Sequence, residues 1–113
     1  MDDGFDTLDP EIKAKLKDAI GFCSDTGASK VSLKNEVQTM FPDLDKRIIY
    51  RTIKEMIKDL DLFIADDGLI KHYSFYPNTA VKVLERRKQP LPKKIVQAWE
   101  DKNHTPYLGR VQK

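Results

Sequence analysis

Apolar residues in this chain recur at helical spacing in its first half, at strand spacing in its middle and at helical spacing again towards its end. The clearest segment is 45–60, where Ile49, Ile53, Met56, Ile57 and Leu60 fall at i, i+4, i+7, i+8 and i+11, the core-facing pattern of an amphipathic helix. Upstream, Ile12, Leu16, Ala19, Ile20 and Cys23 form one face of a helix predicted over 10–24, with Asp9 as its N-cap, Pro10 at its first position and Gly27 as its stop. Lys30-Val31-Ser32 reads as a short extended piece. Ser32 then caps a second helix carrying Leu33, Val37, Met40 and Phe41, which Pro42 ends. The link Pro42-Asp43-Leu44-Asp45 is too short for anything but a sharp turn and offers Asp43 or Asp45 as cap, so the second and third helices form a helix-turn-helix.

Beyond Leu60 the period changes. Leu62-Phe63-Ile64 and the run from Leu69 to Tyr76 are rich in branched and aromatic residues, and Ala65-Asp66-Asp67-Gly68 lies between them. Asp-Gly between apolar runs signals a β-hairpin, with Pro77 and Asn78 closing its second strand. Thr79 to Arg87 is helical by the spacing of Ala80, Val81, Val83 and Leu84; after Gln89-Pro90-Leu91-Pro92 a short helix runs through Ile95, Val96 and Trp99. The organisation predicted is a flexible N-terminus (1–9), a core domain (10–77), a helical extension packed on it (78–100) and a flexible tail (101–113).

The third helix carries a second stripe. Lys46, Arg47, Tyr50, Arg51, Lys54 and Lys58 lie opposite the apolar face, and the acids Glu55 and Asp59 lie at its flank. A partner docking there would meet cations and one aromatic, which suits a phosphate backbone; a solvated helix face is the competing reading in a chain that is 34% charged. The net charge of +2 is uneven. Residues 1–45 hold 5 Lys/Arg against 10 Asp/Glu, residues 46–81 hold 6 against 5, and residues 82–113 hold 9 against 3, so the balance runs from −5 through +1 to +6. Such asymmetry fits an anionic partner. Arg86, Arg87 and Lys88 form one late basic cluster and Lys93 and Lys94 another, readable as a nucleic-acid clamp, a nuclear import signal or a solvated helix end.

The remaining chemistry is sparse. With 113 residues, 40% of them hydrophobic, the chain can bury one ordinary core. One cysteine excludes an internal disulfide, and His72 and His104 sit in unrelated contexts, so no metal or cofactor is expected. Cys23 reads as core. There is no phosphate-binding glycine loop, and the paired acids Asp2-Asp3 and Asp66-Asp67 occupy a terminus and a turn; the chain is expected to be non-catalytic, without a small-molecule substrate. No run of 18 apolar residues and no signal peptide is visible, so no membrane is expected and an intracellular location is, nuclear if the basic clusters serve as an import signal. Trp99 reads either as a core-capping ring or as a partner anchor.

Helix, short strand, helix, tight turn, helix and hairpin is the order of a winged-helix domain, and residues 10–77 resemble that α+β fold, here with a C-terminal helical extension. The resemblance implies that the third helix enters the major groove and that the hairpin wing touches the flanking backbone, placing Lys46, Arg47, Tyr50, Arg51, Lys54 and Lys58 at duplex DNA. The wing departs from that pattern, because Asp66 and Asp67 at its tip would repel phosphates. The body of the second strand, through Lys71, or the basic C-terminal segment is the expected substitute. Leu62-Phe63, the Asp-Gly hairpin and Lys71-His72-Tyr73-Ser74-Phe75-Tyr76-Pro77 are similar to the extended winged-helix module in the largest subunit of the transcription factor TFIIIC. The function expected is that of a module of a transcription or genome-maintenance factor, binding duplex DNA, docking protein subunits of a transcription complex, or both; the alternative is a winged helix devoted to protein–protein interaction.

Overall fold

The computed structural model describes residues 8–107. Five helices and one antiparallel hairpin make an α+β fold in the order α1 (Pro10–Cys23), α2 (Lys30–Met40), α3 (Lys46–Lys58), β1 (Leu62–Ile64), β2 (Ile70–His72), α4 (Pro77–Arg86) and α5 (Lys93–Asn103). α1 starts where the capping argument puts it, with the Asp9 carboxylate accepting from Glu11 N at 2.8 Å. Its end differs from expectation. The Ser24 hydroxyl, fully buried, donates to Gly21 O at 2.8 Å and closes the last turn, while Gly27, at φ +86°, turns the chain into Ala28. Ala28 then exchanges two backbone hydrogen bonds with Ile70, at 3.0 and 2.7 Å.

That single bridge is all that is extended between α1 and α2. The piece expected at Lys30-Val31-Ser32 is instead the first turn of α2, because Ser29, not Ser32, is the cap: its hydroxyl accepts from Ser32 N at 3.1 Å. The α2–α3 turn is held by a residue the pattern did not single out. The Gln38 amide donates to Phe41 O at 3.2 Å and Leu44 O at 2.7 Å, satisfying the cap carbonyl that the helix end leaves open and one carbonyl of the link. Asp45 caps α3 by accepting from Arg47 N at 2.8 Å.

The hairpin pairs Leu62 with His72, Phe63 with Lys71 and Ile64 with Ile70. Its second strand is shorter than the predicted Leu69–Tyr76 run, since Phe75 N and Tyr76 N turn back to His72 O at 3.2 and 3.3 Å. Pro77 does not close a strand; it opens α4, where its missing N–H costs nothing.

Alternation along these short strands gives the hairpin two buried faces. Leu62 and Ile70 join Leu16, Ile20, Leu33, Val37, Ile49 and Ile53 in one core, and Phe63 joins Ala80, Val83, Leu84, Leu91 and Ile95 in another. The α4–α5 extension therefore shares a wall with the first three helices. Leu91, at 1% exposure, anchors the proline-flanked segment between α4 and α5 in this second core. Fully burying each such side chain contributes about 1.5–3 kcal/mol before ordering entropy is subtracted.

The segment expected as a tail from residue 101 is helical at its start. α5 runs to Asn103, and Tyr107 packs edge-on against Trp99, ring centroids 5.1 Å apart, with its N–H donating to Glu100 Oε2 at 2.8 Å. Of the N-terminal segment expected to be flexible, Leu8 packs on the first core and Asp9 caps α1, while residues 1–7, like residues 108–113, lie outside the described residues.

Candidate nucleic-acid interface

α3 is buried along Ile48, Ile49, Thr52, Ile53 and Met56. The stripe is shifted from the one read in the pattern, since Ile57 and Leu60 are only half-buried and Ile48 and Thr52 are inside. Thr52 can be there because its hydroxyl donates back to Ile48 O at 2.8 Å. With those positions inward, Lys46, Arg47, Arg51, Lys54 and Lys58 are all exposed and Tyr50 is half-buried beside them.

Two acids beside this face are engaged by cations. Glu55 reaches the ammonium groups of α1, Lys17 at 3.2 Å and Lys13 at 3.3 Å. Burial raises its pKa, but the two ammoniums outweigh burial and hold the carboxyl below its ordinary value. Asp45 is matched within the turn: Arg47 Nη2 lies 2.7 Å from its Oδ2, and this bond together with the Arg47 backbone N–H lowers its pKa to about 2. Arg47 is thus an already paired guanidinium at the start of the face, whereas Lys46, Lys54 and Lys58 extend along it.

The hairpin uses its charges on itself. Lys71, on the Phe63 face, lies 3.2 Å from Asp67 and 4.8 Å above the Tyr76 ring, so the substitute cation expected from the second strand is engaged within the hairpin. Asp67 also accepts from Leu69 N at 3.0 Å, the first cause of its lowered pKa. His72 faces the other way, against Gly21, where a Cβ would come within 3.0 Å of the imidazole. Burial pushes its pKa below the ordinary value, against the attraction of Asp61.

Three cations of the extension are tied back to the hairpin. Arg86 pairs with Asp66, Arg87 Nη2 donates to Ile64 O at 3.0 Å, and Lys94 pairs with Asp61 while donating to Asp59 O at 2.8 Å. The Arg87 contact satisfies a carbonyl on the outer edge of β1, the Ile64 one, that the hairpin partner does not pair. Lys88 and Lys93 remain exposed, and Trp99 is half-buried in the second core.

A feature that sequence reasoning missed is an aromatic patch. Phe22, 68% exposed, and Phe75, 44% exposed, flank a shallow groove floored by Gly21 and His72. Phe22 lies off the apolar stripe of α1, which was its only sign; Phe75 reaches it solely through the turn after β2. Among the described residues no three His, Cys, Asp or Glu side chains gather as a metal site, and no helix is long and apolar enough to cross a membrane. Comparison with protein-family models, curated proteins and solved structures finds no match to this chain.

Proposed function

We propose that the chain is a non-catalytic winged-helix module of a nuclear transcription or genome-maintenance factor, and that it holds duplex DNA through α3. The winged reading is supported by Ala28, which pairs with β2 on the side away from β1 and so supplies the short strand between the first two helices. The DNA reading rests on one observation: the outward face of α3 presents Lys46, Lys54 and Lys58, while two acids beside it are each engaged by a cation, Glu55 by Lys13 and Lys17 and Asp45 by Arg47. A row of exposed cations on a helix is what phosphates select, and base edges are then read by whichever of these side chains enter the groove.

The test is a titration of duplex DNA with the double reversal K46E/K54E. Neither side chain is buried, so the fold should persist. Low-salt affinity should fall on the order of tenfold, and the salt slope should drop by about two. Parental affinity in the double variant would remove α3 from the interface. A second reading, docking to protein subunits of a transcription complex and not to DNA, is favoured by the Phe22 and Phe75 patch, since exposed aromatics are common at protein interfaces.

A further inference from the structure

A hairpin tip bearing Asp66 and Asp67 is a poor phosphate contact by itself, yet neither carboxylate stands alone in the folded chain. Asp67 is matched by Lys71 at 3.2 Å and Asp66 by Arg86. The Arg87 guanidinium reaches the same end of the hairpin, donating to Ile64 O at 3.0 Å just before the turn. Next to it Lys88 is exposed, with φ at 56°, at the point where the chain leaves α4. The contacts at this end of the hairpin bring three cations, Lys71, Arg86 and Arg87, to two acids, Asp66 and Asp67, and Glu85 and Lys88, which flank the arginines in sequence, add one charge of each sign. Its local charge is reversed by residues distant in sequence.

We propose that the backbone contact of the wing is made by the C-terminal end of α4, with Lys88 and the Arg86–Arg87 pair facing duplex phosphates beside the segment held by α3. This rests on the DNA reading of α3. One acid and one carbonyl serve to position: Asp66 holds Arg86 and the Ile64 carbonyl holds Arg87, so the guanidiniums are fixed at the tip with further N–H donors left for phosphate oxygens. Lys88 makes no such contact among the described residues and supplies an added charge.

Two substitutions of opposite sign test it on the full chain, with a duplex of about two helical turns as the probe. Lys88→Glu should weaken binding on the order of threefold or more and lower the salt slope by about one. Asp66→Asn removes an anion from the tip, and at this exposed site the lost repulsion should outweigh the lost positioning of Arg86, so it should tighten binding by a similar factor. Both sites are exposed, so melting temperatures should stay at the parental value. Affinity unchanged in both variants, while K46E/K54E loses binding, would overturn the wing assignment and leave the α3 reading standing. If K46E/K54E also binds like the parent, the α3 reading falls and the wing contact with it. If Lys88→Glu instead abolishes capture of a polyglutamate peptide and spares the duplex, the surface belongs to an acidic protein partner and the proposal is wrong.

Discussion

α3 and the α4–α5 extension are both rich in Lys and Arg, and they differ in how far the rest of the fold engages them. On α3 the cations sit at helical spacing away from the core, and the acid among them is engaged by another helix. In the extension, Arg86, Arg87 and Lys94 reach across to Asp66, the Ile64 carbonyl and the Asp59–Asp61 segment, fastening α4 and α5 to the hairpin. Clustering of basic residues in a sequence therefore does not report how many are available to a partner. What decides it is whether an acid or a carbonyl lies within reach in the fold.

The largest effects expected lie beneath both surfaces. Ile53→Ala, in the first core, and Leu84→Ala, in the second, should each cost about 2–5 kcal/mol, because both side chains are at most 1% exposed. Chemical denaturation of the two variants sharpens the comparison. If α4 and α5 are integral, Leu84→Ala lowers the single unfolding transition as Ile53→Ala does; a first-half transition indifferent to Leu84→Ala would break the shared wall that Phe63 and Leu62 provide. A smaller effect separates the two kinds of cation. Lys94→Met keeps the side-chain length and removes the contacts to Asp61 and Asp59 O, so it should cost on the order of 1 kcal/mol with duplex affinity retained. Loss of affinity at unchanged stability would show that Lys94 belongs to the interface.

Much of the framework was legible because it is local. Asp9-Pro10, Asp45 and the Asp-Gly turn act within a few residues of themselves, and the two stripes of α3 depend only on helical period. The Ser29 cap was misplaced by three residues because Ser32 carries the same chemistry, and only the Ala28 bridge to Ile70 fixes which serine begins the helix. At the candidate site, the outward cations of α3 were readable for the same reason of period. The engagement of Glu55 by α1, the neutralised hairpin tip and the meeting of Phe22 with Phe75 were not, since each joins residues 20 or more positions apart. Shifting the buried stripe to include Ile48 and Thr52 likewise needed the position of the neighbouring helices.

The central claim is that the outward face of α3 meets duplex phosphates. The most direct measurement is an amide-resolved NMR titration of the chain with short duplex DNA at low and moderate salt. The account predicts chemical-shift changes concentrated at Lys46, Tyr50, Arg51, Lys54 and Lys58, with smaller ones at Lys88, all diminishing as salt is raised. Changes confined to the surroundings of Phe22 and Phe75, or none at low salt, would contradict it.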